Sequence, residues 1–102
     1  MPIRRKNIDF TKKLVTVTSD YSVQEEDEFI LADATTAELT VTLPTAVDCE
    51  GKFYQIKKKD SVNNVIVDGY GAETLDGDAS LTISTQYTTV GLVSDGETWW
   101  RY

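Results

Sequence analysis

The chain has 102 residues, a net charge of −7 and no histidine. That length is one domain, and without histidine a serine or cysteine nucleophile lacks its usual general base. Cys49 is the single cysteine, which excludes an intrachain disulfide. No apolar run approaches a membrane span and no signal-peptide core follows the basic start, so membrane insertion is not expected and folding is expected in cytoplasm.

Charge divides the chain. Residues 1–13 carry Arg4, Arg5, Lys6, Lys12 and Lys13 against Asp9, a net of +4 that leaves −11 on residues 14–102. The first segment has neither helical nor strand periodicity and reads as an extended basic arm. In it Arg4, Arg5, Lys6, Ile8, Phe10, Lys12 and Lys13 combine positive charge with apolar anchors, which suits docking on an acidic, grooved protein surface; a solvated, partly disordered terminus is the plainer alternative. The acidic remainder argues against nucleic-acid binding, which needs a positive face.

From Lys13 onward the pattern is that of strands. Leu14, Thr16 and Thr18 alternate with Val15, Val17 and Ser19, and their β-branched side chains favour the pleat. Asp20–Val23 is a short extended piece, and four consecutive carboxylates follow at 25–28. Phe29–Ala32 is an apolar run of strand length. Leu39, Val41 and Leu43 alternate with Thr40 and Thr42 until Pro44 ends the strand. Residues 45–51 are the one place for a helical turn.

Lys52–Lys58 is the next strand; Lys57, Lys58 and Lys59 are expected to offset part of the acidic charge, at positions the sequence does not fix. Val65–Val67 follows, then a short strand at 73–75 ending in Asp76-Gly77. Leu81 and Ile83 alternate with Thr82 and Ser84. The last two strands, 88–93 and 97–102, flank Asp95-Gly96, where a tight type I′ hairpin is expected. Strands recurring at this spacing predict an all-β domain over 14–102, a compact antiparallel sandwich, jelly roll or prism. Its expected core is Leu39, Val41, Leu43, Tyr54, Ile56, Val65, Val67, Leu81, Ile83, Val90 and Leu92. Because Ser and Thr thin that core, association with copies of the chain is expected to add burial.

The order of these motifs resembles a β-rich module of bacteriophage tail fibres, tail spikes and head fibres. The carrying residues are Val41–Pro44, Gly51–Lys58, Asn64–Val67, Leu75–Gly77, Leu81–Tyr87 and the closing Val90–Trp99. The resemblance covers about three-quarters of the chain and implies a homotrimeric virion component, assembled in the host cytoplasm, that projects from the particle and contacts the host surface. It implies no shared catalytic residues. Most such fibres are far longer, so a small fibre or decoration protein, or a piece of a longer fibre, is expected. On this reading the arm docks on another virion protein.

Each candidate chemistry competes with a plainer use of the same residues. Polysaccharide hydrolysis needs two carboxylates across a cleft. Asp68, Glu73, Asp76 and Asp78 cluster in sequence, but Asp68, Asp76 and Asp95 each precede a glycine, where Asp serves turns. Asp76-Gly77-Asp78 lacks the repeated spacing of a calcium loop. No enzyme activity, metal or cofactor is therefore expected. The alternative function is recognition of host glycans, for which Tyr70, Tyr87, Trp99, Trp100 and Tyr102 offer flat faces. Trp99 and Trp100, adjacent on a strand, must point to opposite sides, one into the core and one out.

Overall fold

A computed structural model describes residues 13–102. The strands are β1 (Leu14–Val17), β2 (Tyr21–Ser22), β3 (Phe29–Ala32), β4 (Leu39–Thr42), β5 (Phe53–Lys58), β6 (Val65–Asp68), β7 (Ser80–Ile83), β8 (Thr89–Ser94) and β9 (Trp99–Arg101). A 3₁₀ turn, Ala46–Asp48, lies between β4 and β5. The strands form two sheets, ordered β1-β3-β5-β8-β9 and β2-β4-β6-β7.

The expected all-β architecture is present, but its pairing is mixed rather than antiparallel. The chain switches sheets after each of its first five strands. A strand that leaves its sheet and returns after crossing the other arrives in its original direction, so it pairs parallel. Thus β1, β3 and β5 run parallel in the first sheet, and β2, β4 and β6 in the second. The chain coils around one core, and Phe29 meets Gln55 as Leu39 meets Val65, each after an advance of 26 residues. Only the last part reverses within a sheet: β7 runs against β6, β8 against β5 and β9 against β8. Alternation reports which side chains point inward and is silent on which strand lies beside which.

Inward side chains follow the alternation closely. Every residue expected in the core is buried except Leu81, which is half-buried and packs against it. Trp99 is fully buried, its ring 5.6 Å from that of Tyr54, while Trp100 on the opposite face is 46% exposed. The core closes within a single chain, so the burial expected from association is not needed to complete it.

Two turns differ from expectation. The φ values of a type I′ turn occur at Asp76 (51°) and Gly77 (93°), where Leu75 and Asp78 exchange backbone hydrogen bonds of 2.7 and 3.0 Å. The β8–β9 connection is instead a wider loop, since Ser94 pairs with Trp99. There Asp95 Oδ1 accepts the N–H of Glu97 (2.8 Å) and of Thr98 (2.9 Å), a side-chain clamp beside the one backbone bond from Asp95 N–H to the Thr98 carbonyl (3.2 Å). Residues 73–75 form isolated bridges through Leu75 rather than a strand.

Two positions give a stability test. A Cβ at Gly69 would overlap the backbone carbonyl oxygen of Glu73, which cannot swing aside as a side chain can. Tyr87 has φ 70°, a left-handed conformation that costs a side chain about 1 kcal/mol. Chemical denaturation should therefore show Gly69→Ala destabilising by about 1–3 kcal/mol, and Tyr87→Gly neutral to stabilising by up to about 1 kcal/mol.

Candidate functional site

The coil does not gather the functional candidates into one place. Of the arm residues, Arg4, Arg5, Lys6, Ile8, Phe10 and Lys12 lie outside the described residues. Lys13 is exposed, 4.0 Å from the Glu28 carboxylate. Its backbone carbonyl accepts the N–H of Glu28 (2.8 Å) and of Phe29 (3.0 Å), so sheet bonding begins one residue before the expected arm boundary.

The exposed aromatic residues do not converge. Tyr70 lies in a groove of about 570 Å³ with Val47, Ala72 and Glu97. Tyr87 is carried on the loop before β8, with Lys57 Nζ 6.0 Å from its ring centroid. Trp100 and Tyr102 belong to the outer side of the first sheet. They are joined there by Phe53, which sequence reading left unnamed and whose ring lies 5.4 Å from that of Tyr102. With Tyr54 known to point inward, alternation alone puts Phe53 outside. Phe53 and Tyr102 line a groove of about 410 Å³ with Glu28, Lys52 and Gln55.

Outward positions of the first sheet fall into rows set by strand register. Phe53, Val93 and Trp100 form one row, and Leu14, Phe29, Gln55 and Gly91 another. The ring of Tyr102 covers Gly91, leaving no space there for a Cβ. A third row holds Thr16, Leu31, Lys57 and Thr89. The equivalent rows of the second sheet are Thr40-Ile66-Thr82 and Thr42-Asp68-Ser80. One outer face is therefore apolar and aromatic, and the other is mostly hydroxyls.

The carboxylates are bound to the chain itself. Glu73 accepts from the Thr45 hydroxyl (2.6 Å) and the Ala46 N–H (2.8 Å). Asp76 accepts the Arg101 N–H at 2.9 Å. Asp27 accepts from the Tyr21 hydroxyl (2.6 Å) and the Gln24 N–H (2.8 Å). Burial, reinforced by that bond to Asp27, pushes the Tyr21 phenol up to about 12. Asp95 is held below the usual carboxylate range by the Thr98 N–H, the Trp100 indole N–H and the Glu97 N–H. Cys49 is buried, and desolvation with the nearby Glu25 charge raises its thiol pKa, the opposite of an activated nucleophile. Among the described residues, no three acidic or cysteine side chains gather at metal-binding distance.

Lys58 is the polar residue that the sequence left unplaced. Its alternation phase, shared with Tyr54 and Ile56, turns it inward, and it is fully buried. Its Nζ donates to Asp60 Oδ2 and to the Asp60 carbonyl oxygen, both at 2.9 Å. Asp60 Oδ1 accepts from Ala34 N–H (2.7 Å) and Oδ2 from Val62 N–H (2.7 Å) and Asn63 N–H (3.2 Å). Desolvation pushes the Asp60 carboxyl up, but Lys58 and these three N–H groups together outweigh it and hold it well below the usual carboxylate range. The pair is a structural pin rather than a reactive site.

Compared with protein-family models, curated proteins and solved structures, the chain has no match.

The pin yields a stability prediction. Asp60→Ala, which leaves the Lys58 ammonium buried and unpaired, should cost about 3–5 kcal/mol by urea denaturation. Because the folded carboxyl is more acidic than the unfolded one, its contribution is present above the unfolded value of about 4 and fades as pH falls through the folded value. Asp60→Asn should flatten the loss of stability below about pH 4 and leave the slope between pH 5 and 7 unchanged.

Proposed function

We propose that this chain is a non-enzymatic phage virion protein, a small fibre or decoration module that self-associates as a homotrimer and attaches to the particle through its basic arm. The observation that carries the reading is the use made of the carboxylates. A hydrolase would aim two of them at one cleft. Here Asp27, Asp60, Glu73 and Asp95 each accept backbone N–H groups of turns and corners, and Asp76 accepts that of Arg101 in β9. The acidic residues build a rigid body. The ordered motif resemblance supports the same reading, because its strand segments fall on consecutive strands, β4 to β6 of the coil and β7 to β9 of the antiparallel close.

Recognition of host glycans is a second reading, favoured by one observation. The tilted Phe53 and Tyr102 rings stand in a groove beside Glu28, Lys52 and Gln55, an aromatic platform with polar neighbours. Ligand-dependent change in Trp100 fluorescence would support it, and silence across a glycan array would remove it.

Solution mass by light scattering, with and without residues 1–12, tests the main proposal. The cut falls before Lys13 because its carbonyl belongs to the sheet. A trimer is expected in both forms, which leaves the arm free for attachment. A stable monomer at micromolar concentration overturns the fibre reading, and a trimer lost with the arm overturns the attachment role.

A further inference from the structure

We infer that the outer face of β1-β3-β5-β8-β9 is the surface on which a second copy of this chain sits. The inference rests on the self-association proposed above and assigns it a location.

Three observations carry it. The first is composition by face: the outward rows of this sheet hold Leu14, Phe29, Leu31, Phe53, Val93 and Trp100, with Tyr102 laid over Gly91. Phe53 is 59% exposed, Tyr102 62%, Trp100 46% and Leu14 44%. These four side chains alone offer on the order of 400 Å² of accessible surface. A stable interface covers about 800 Å² per partner, with an apolar aromatic centre and a polar rim. Thr16, Gln55, Lys57 and Thr89 supply such a rim.

The second observation is charge. Residues 13–102 carry sixteen carboxylates against six cations, so two copies repel wherever acidic surfaces meet. The outward rows of the first sheet contain Lys57 and no carboxylate, whereas the second sheet presents Asp68. Glu28 beside Phe53 and Asp95 bonded to Trp100 border the face, so like-charged bodies approach most easily at its centre, between those margins.

The third is rigidity. Lys57 Nζ stands over the Tyr87 ring, the Trp100 indole donates to Asp95 Oδ2 at 2.8 Å, and Phe53 leans on Tyr102. Side chains already fixed lose little entropy when covered, and aromatic anchors held this way carry much of an interface's energy. A glycan, by contrast, needs several hydrogen-bonding groups converging on one ring. Near Phe53 the flanking Lys52 ammonium is already engaged over Tyr54, 5.1 Å from its centroid.

The test compares sedimentation of the full-length chain with Phe53→Asp, Trp100→Asp and the opposite-face control Thr82→Asp, over micromolar to millimolar concentration. Phe53→Asp and Trp100→Asp should each weaken association about thirtyfold or more, shifting the mass toward 11.4 kDa, and Thr82→Asp should not. A wild-type measurement guards against misfolding of the variants. Trp99 is buried in the single chain and Trp100 is not, so acrylamide quenching should rise when dilution dissociates the assembly.

Assembly that survives Phe53→Asp and Trp100→Asp, or quenching indifferent to dissociation, overturns this location while the self-association proposal stands. A wild-type chain that stays at 11.4 kDa overturns both. A monomer that associates only after loss of residues 1–12 overturns the inference in favour of the chain's own N-terminal segment. A monomer whose Trp100 fluorescence responds to polysaccharide gives the face to glycan.

Discussion

The fold depends on turning a corner between sheets without leaving polar groups stranded, and the buried Lys58–Asp60 pair makes that possible. A strand pairs its backbone groups along a ladder, but a chain crossing to the other sheet loses those partners while still partly buried. Asp60 replaces them with two carboxylate oxygens that accept three N–H groups. One comes from Ala34 in the preceding coil and two, Val62 and Asn63, from its own corner. Asn63 then donates its side-chain amide back to the Ala34 carbonyl at 2.9 Å. Lys58 closes the charge, at a separation of 2.9 Å with side chains 1% and 5% exposed. The corner of one coil is thus built on the corner of the next. The loop before β8 completes it, since Lys58 N–H donates to the Thr88 carbonyl and Tyr87 N–H to that of Lys58.

The same economy explains why an acidic chain need not be a catalytic one. Each crossing exposes orphan N–H groups, and a carboxylate is the most compact acceptor for two or three of them at once. At the opposite end, Glu73 caps the 3₁₀ turn and Asp27 organises the bend after β2. Ser94 there donates its hydroxyl to the Ala46 carbonyl at 2.7 Å. Part of the net negative charge comes from these corner carboxylates, and the charge constrains how copies of the chain can meet.

What could be read from the sequence was local. An apolar run located β3, while alternation located β4, phased the core residues, and separated Trp99 from Trp100, because side-chain direction in a strand depends only on its neighbours. Parallel pairing was not legible, because it depends on where a strand goes after its turn. The type I′ turn fell at Asp76-Gly77 rather than Asp95-Gly96 because an Asp-Gly pair permits positive φ without requiring it. Asp95 was drawn instead into accepting the N–H groups of Glu97 and Thr98. Lys58 and Phe53 were legible in principle from the phase of Tyr54 and Ile56. Residue type obscured the first, since lysine in a run of three reads as surface, and Phe53 was passed over beside the inward Tyr54. The arm's role rests on composition and resemblance alone.

A coil of parallel strands leaves open edges at both ends, and these edges constrain where partners attach. β2 spans two residues, β1 four and β9 three, too short to template an added strand from another chain. Lys13 leads into β1 and Arg101 lies in β9, and charged side chains at an edge further discourage strand addition. β7 exposes Ser80 and Thr82 over a four-residue edge. With every edge short, main-chain hydrogen bonding offers little to a partner, and association must rely on side chains. The broadest side-chain surface the fold presents is the outer face of its five-stranded sheet, where the two six-residue strands β5 and β8 lie side by side. The switching that builds the core therefore also determines that this module would grow through a face and not along a ladder.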